Sequence, residues 1–317
     1  MNQSKRLKDG ALLTTIYIIL LLVTILFPLT SMILTFVLPV PFIIFAARHD
    51  WKPSLIMLTA TIILSALFAT VFSLPLSLLY GIGGIMIGAA IKRKLSAYET
   101  WARGTVGFVA GLLFALLFAQ VLFDISFVEE LNERMNDTIQ ISQSMMSEFG
   151  LDEEIIEQQI SIVEESLSTF NDLLPMLLVM MGLIQALISQ WIGYKVSNRI
   201  EKSNLRFPEF RNLQFPVAII WIYFIALVVS LLQQDPDSIL FMGLQNVLIL
   251  TGFFMAIQGF SFFFFFAYYK KMSKSIPIIV TIISLVLLPL LLPLIRILGI
   301  IDIGFGLRDR MMKNEKK

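Results

Sequence analysis

The 317-residue chain has no cysteine and one histidine, His49. The first absence excludes disulfides, thiolate metal sites and cysteine nucleophiles together. The second excludes multi-histidine metal centres and bis-histidine haem sites. Charge is scarce as well. Only 15% of residues are Asp, Glu, Lys or Arg, against roughly 25% in soluble domains. Hydrophobic residues make up 57%, and the mean hydropathy is +0.83. That is too little charge to cover a water-facing surface, so the composition is that of a polytopic membrane protein.

The net charge of +1 conceals a split. Between positions 124 and 172 lie thirteen acidic residues and one base, Arg134, for a sum of −12. The remaining 23 bases and 10 acids sum to +13. Such asymmetry points to two compartments on either side of a bilayer and not to nucleic acid.

Apolar runs near the roughly 20 residues a span needs occur at 11–28, 30–47, 54–73, 75–91, 104–123, 173–194, 214–233, 239–269 and 276–305. Pro28, Pro53 and Pro75 punctuate the first four, which should form two tight hairpins. Lys5, Arg6 and Lys8 before the first run resemble a secretory signal. No small-x-small cleavage site follows, so the run reads as an uncleaved first span. Bases cluster at 5–8, 48–52, 92–103, 195–211, 270–274 and 308–317, after every second span. The positive-inside rule then places the N-terminus in the cytoplasm and 124–172 outside. The last run contains Pro289 and Pro293. Splitting it into a short hairpin, 277–289 and 291–304, returns the basic C-terminus to the cytoplasm. The expected architecture is an all-α transmembrane bundle of eight to ten spans. Three regions follow: 1–123 with about five spans, an acidic extracytoplasmic helical hairpin at 124–172, and 173–317 with three to five spans and a basic tail.

The acidic segment is patterned. Ile156, Ile160, Val163, Leu167, Phe170 and Leu174 recur at spacings of 4, 3, 4, 3 and 4, a heptad stripe on one helix face. Val128, Leu131, Met135, Met145 and Phe149 form a weaker stripe upstream. Gly150 separates the two, and Asp152 suits an N-cap with Glu153 and Glu154 in the first turn. Two antiparallel helices are expected, about 125–149 and 152–173, the second continuing into the next span with Pro175 at the junction. The stripe needs a cover: the other helix, a second copy of the chain, or the membrane surface.

Gly84 and Gly88 form a GxxxG pair in the fourth run, and Gly104, Gly107 and Gly111 give the fifth a small-residue face. Both suit close helix packing in lipid. A phosphate loop is excluded because no Walker lysine follows. The amide side chains within the runs are Gln120, Gln185, Gln190, Gln245, Asn246 and Gln258. Each must find a partner, in a helix or a ligand. Gln185 with Gln190, and Gln245 with Asn246, cluster and are the ligand candidates. No run up to position 269 has an interior charge, which argues against a proton-coupled carrier and against an intramembrane aspartyl or serine protease. Arg296 and Asp302 lie six apart, roughly 9 Å along a helix, too far to pair. His49, flanked by both charge signs, reads as a solvated interface residue. Trp51, Trp101, Trp191 and Trp221 fall near run ends, as interfacial anchors do. No catalytic, metal or cofactor set appears, so an enzyme is not expected.

The start Asp9-Gly-Ala-Leu-Leu-Thr-Thr-Ile-Tyr, then Leu38-Pro-Val-Pro-Phe and Ala47-Arg-His-Asp-Trp-Lys, together resemble the YybS family of uncharacterised bacterial membrane proteins. So do the glycines from 81 to 88 with Lys92-Arg-Lys, and the tail Leu298-Gly-Ile-Ile-Asp-Ile-Gly-Phe-Gly-Leu-Arg. The likeness covers nearly the whole chain. It implies a membrane core similar to the six-helix substrate-binding S components of energy-coupling-factor vitamin transporters, which have no ATPase of their own. There, small residues four apart on the first helix dock a membrane coupling subunit; the matching pair here is Ala11 and Thr15. The implied partners are the bilayer, a coupling subunit, or a second copy through 125–172.

Overall fold

A computed structural model describes residues 3–150, 152–233, 235 and 238–314. Three of the five residues in the Gln-Asp-Pro-Asp-Ser connection, and the last lysines of the basic tail, lie outside them. The described residues contain helices and no strand. In hydrocarbon a backbone must satisfy its own hydrogen bonds, and a helix does so within one segment. Among the described residues, eight segments are long and apolar enough to cross a membrane. The chain divides into two units, before and after the Phe207–Pro208 bond.

The first unit holds α1 (Gln3–Leu26), α2 (Pro28–Val37), α3 (Val40–His49), α4 (Trp51–Phe68), α5 (Leu74–Lys92), α6 (Ala97–Phe123), α7 (Phe127–Glu148), α8 (Glu153–Asp172) and α9 (Leu174–Glu201). Pro28 opens α2, and Pro39 with Pro41 divides α2 from α3 while leaving one apolar path of 22 residues. Asp50 caps α4 by accepting from the Trp51 N–H at 2.7 Å. Ser96 and Glu99 form a capping box at the start of α6.

Helix α5 lies between α3, α4 and α6, and its glycines admit the α3 backbone. A Cβ on Gly84 would stand 2.6 Å from the Pro39 carbonyl oxygen, and one on Gly88 2.6 Å from the Ala46 Cβ. From α6, Gly104 meets Ile87, Gly107 meets Met86, and Gly111 approaches the Leu79 Cα. Close approach replaces the hydrophobic force that lipid removes. Around this contact Tyr17, Phe42, Ile43, Ile87 and Phe108 form a fully buried core.

Helix α9 joins this unit, not the C-terminal region to which the sequence reading assigns it. Gly182 sits against Val109 of α6, Gly193 sits against Ile43 of α3, and hydrogen bonds tie it to α2 and α6. Hydropathy marks α9 as a span but carries no record of its neighbours. By contacts, the chain divides after residue 207.

Helices α7 and α8 run antiparallel, with Asn171 donating to Asn132 Oδ1 at 2.8 Å. The turn between them uses Gly150 at φ 73°, a conformation that costs glycine little. Asp152 occupies the N-cap position but makes no capping bond. The helix does not run unbroken into α9: it is interrupted at Leu173, with Pro175 in the first turn of α9. Of the heptad stripe, Ile156 is buried while Val163 and Phe170 are exposed. The two helices cover one another only in part, leaving a groove of about 260 Å³ lined by Met135, Ile139, Ile160 and Val163.

The second unit holds α10 (Ala218–Leu232), α11 (Ile239–Tyr269), α12 (Ser275–Val286), α13 (Leu288–Phe305) and α14 (Leu307–Asn314). At about 1.5 Å per residue, α10 (15 residues) and α12 (12 residues) are shorter than the hydrocarbon layer. The last apolar run divides at Leu287, two residues before Pro289. Pro289 sits in the first turn of α13, where no donor is needed, and Pro293 lies inside the helix. The closest helix contact is between α11 and α13. A Cβ on Gly259 would run into the Ile295 carbonyl oxygen, and one on Gly299 into that of Met255.

Candidate functional site

At the end of the first unit where α1 begins and α3 and α9 finish, four charged or titratable side chains meet. His49 Nε2 lies 2.9 Å from Asp9 Oδ2. Arg48 reaches Asp9 at 3.5 Å and donates from Nε to Glu201 at 2.6 Å. Lys92 donates to the Arg48 carbonyl at 2.8 Å, fixing the end of α3. Asp9, Arg48, His49, Glu201 and Lys5 line a cleft of about 410 Å³. The reading of His49 as a solvated residue is overturned: its side chain is 4% exposed and its ring packs on Phe45. The physical reason is one turn of helix. Residue 49 faces inward while Asp50, at φ 72°, turns the chain out into α4. An oriented histidine–carboxylate pair is a proton donor–acceptor pair. Among the described residues no three His, Asp or Glu side chains gather as metal ligands.

The amides nominated from the sequence lie in both units. Gln185 donates to the Thr35 carbonyl at 2.8 Å and to Ser189 at 3.2 Å. Gln190, fully buried, donates to the Ala97 carbonyl at 2.9 Å and to the Tyr194 hydroxyl at 2.7 Å. The two residues therefore reach different helices, α2 and α6. Gln190 Oε1 is buried without a partner. Gln245 is half-buried on α11, and Asn246 donates back to the Met242 carbonyl at 2.8 Å. Ala11 and Thr15 stand exposed on the outer face of α1, with the Thr15 hydroxyl bonded to the Ala11 carbonyl.

The second unit contains a polar cluster that span counting missed. Asp302 receives Gln258 Nε2 at 2.5 Å and Arg308 at 2.8 Å. Arg308 also donates to the Arg211 carbonyl at 2.6 Å and to Ser261 at 3.1 Å. Ser261 in turn donates to the Phe210 carbonyl, and Gln258 Oε1 accepts the Phe215 N–H. The cluster pins the 210–215 segment to α11 and α13. Arg296 does not join this cluster and lies over Gly252 of α11. A signal existed in the spacing of Gly252, Met255, Ala256 and Gly259, one face of α11 that needs a close neighbour. Buried hydroxyls were missed too: Tyr17 donates to Ser77 at 3.0 Å, and Ser65 lies 2.8 Å from Ser77. Trp101 is not a free interfacial anchor, since its indole donates to the Leu183 carbonyl at 2.8 Å.

No solved structure matches the chain. A curated protein that does match is "Uncharacterized protein YybS" of Bacillus subtilis (strain 168), 26% identical over 311 residues that cover 98% of this chain and all of that protein. A family model described as "Predicted membrane protein (DUF2232)" matches residues 15–303. That range contains α3, the α11–α13 contact and Asp302, and the chain belongs to the DUF2232 family of membrane proteins.

Proposed function

We propose that the chain is a non-enzymatic, small-molecule-binding membrane subunit of the S-component type, which relies on partner subunits for energy. The observation that carries this reading is the composition of the first unit. Six of the eight candidate spans fall within it, the number that the resemblance implies. The small residues Ala11 and Thr15 are exposed beside Leu12 and Ile16, a flat face on which another helix can lie. One turn away, Asp9, Arg48, His49 and Glu201 tie α1, α3 and α9 together, so a partner on α1 would press on all three. The distribution of bases supports a cytoplasmic N-terminus, which puts this docking face and the cleft near that side. Gln190, with its unpartnered oxygen, is the amide best suited to face a ligand.

The test is affinity purification of the full chain from its native membrane. Co-purification of a membrane coupling subunit with an ATPase pair is expected, as is its loss in Ala11→Trp/Thr15→Trp. A clean preparation of the wild-type chain lacking both partners refutes the proposal.

A second reading rests on a different observation, the incomplete cover of the α7–α8 pair. Ile141, Met145, Phe149, Ile162 and Phe170 are all exposed on an otherwise acidic segment. On this reading the hairpin, outside the membrane, is the working part, and it binds a second copy or another protein. Deleting 125–172 should then abolish function while the spans still insert. Complementation by the deletion variant rejects it.

A further inference from the structure

The second unit carries a groove of about 760 Å³ between the end of α11, the start of α12 and the 209–211 segment. Its floor is apolar and aromatic, with Phe264, Phe265 and Ile278, and its rim is cationic, with Arg211, Lys271 and Lys274. We propose that this groove binds an anionic phospholipid, headgroup on the rim and acyl chain along α12.

Three observations converge on an amphiphile. The first is charge. One acid, Glu209, lines the groove and pairs with Arg211, so the rim keeps a positive excess. Among the described residues Lys271 and Lys274 are in no ion pair, and both are exposed. The second is preorganisation. The Arg211 guanidinium stacks on the Tyr268 ring at 3.4 Å, and its backbone carbonyl is held by the buried Arg308. An arginine fixed in this way meets a phosphate without first losing side-chain freedom. The third is apolar continuity. From the floor, Ile278 and Ile282 lead away along the exposed face of α12, 48% and 56% exposed. A free phosphate would use the rim alone, whereas a lipid uses rim, floor and stripe. Tyr268 and Tyr269 end the 31-residue apolar helix at the level where aromatic residues meet headgroups. Basic pockets at that level are known headgroup sites.

The experiment uses the full chain purified from mixed phosphatidylglycerol and phosphatidylcholine, with retained lipid quantified by mass spectrometry. Phosphatidylglycerol should be enriched roughly tenfold over phosphatidylcholine, given the size of a lysine's attraction to an anionic lipid. The enrichment should fall close to unity in Lys271→Gln/Lys274→Gln. Ile278→Gln keeps the whole rim and should lower retention too, which a site for a soluble anion would not show. Both variants change exposed side chains, and an unaltered melting temperature in phosphatidylcholine verifies their fold. Unchanged enrichment in the folded double variant overturns the proposal. So does full displacement of the lipid by millimolar inorganic phosphate, which would identify a soluble anion as the ligand.

Discussion

Asp302 and Arg308 form an ion pair at 2.8 Å with side chains only 1% and 3% exposed, although α13 ends between them at Gly306. Gly306 takes φ 56°, the left-handed conformation that glycine adopts at little cost, and this turn brings Arg308 back to the carboxylate. A partner six residues away on a straight helix would be out of reach. Asp302 Oδ1 makes no hydrogen bond, so the carboxylate depends on its other oxygen, which Arg308 and Gln258 share.

Removing one member of this pair leaves a buried charge uncompensated. Arg308→Met is therefore expected to cost about 3–5 kcal/mol in stability. Asp302→Leu/Arg308→Met removes both charges and should lose much less than the two single variants summed. Thermal unfolding of the purified protein in mild detergent measures both; an additive double variant would show that the charges are not coupled.

Gly299 and Gly243 lie in apolar helices but differ in surroundings. A methyl on Gly299 meets the backbone of Met255, while nothing stands within 4 Å of one on Gly243. Gly299→Ala should cost about 1–3 kcal/mol through overpacking. Gly243→Ala should be neutral or stabilise by about 0.4–1 kcal/mol. The same melting assay separates them, and equal effects would contradict the α11–α13 contact.

Asp9 and Glu201 both pair with Arg48, yet only Asp9 serves a buried group. Asp9→Ala leaves His49 Nε2 without its partner and should cost about 1–3 kcal/mol. Glu201→Ala breaks a part-exposed ion pair and should cost under about 1 kcal/mol. A larger loss from Glu201→Ala would assign the structural role to the Arg48–Glu201 bond.

Gln190→Leu has two readable outcomes. Loss of its bonds to Ala97 and Tyr194 should lower stability by about 1–3 kcal/mol, since each bond contributes about 0.5–1.5 kcal/mol. If Gln190 also faces a ligand, the variant should lose a co-purified small molecule that Gln185→Leu retains. Mass spectrometry of extracts from both preparations distinguishes them.

The membrane class, the helices and most of their limits were legible because each depends on neighbouring residues. Pro28 opens α2, and Gly150 divides α7 from α8, through local backbone chemistry. The sequence hides the burial of His49, because its nearest charges, Arg48 and Asp50, suggest solvent. Its partner, Asp9, lies forty residues away. The sequence places Arg308 in the basic tail for the same reason: a charge beyond the last apolar run carries no local sign that it folds inward.

Composition and hydropathy determined that this protein is an all-α chain built for a bilayer, because the cost of burying backbone and charge in hydrocarbon acts on each segment separately. Which spans touch, that α9 belongs with α1–α6, and that Asp302, Arg308 and Gln258 converge were decided only by the tertiary structure. Lipid is as apolar as leucine, so apolar patterning cannot choose between neighbouring helices. Close glycine contacts and buried hydrogen bonds make that choice, and they join residues far apart in the chain.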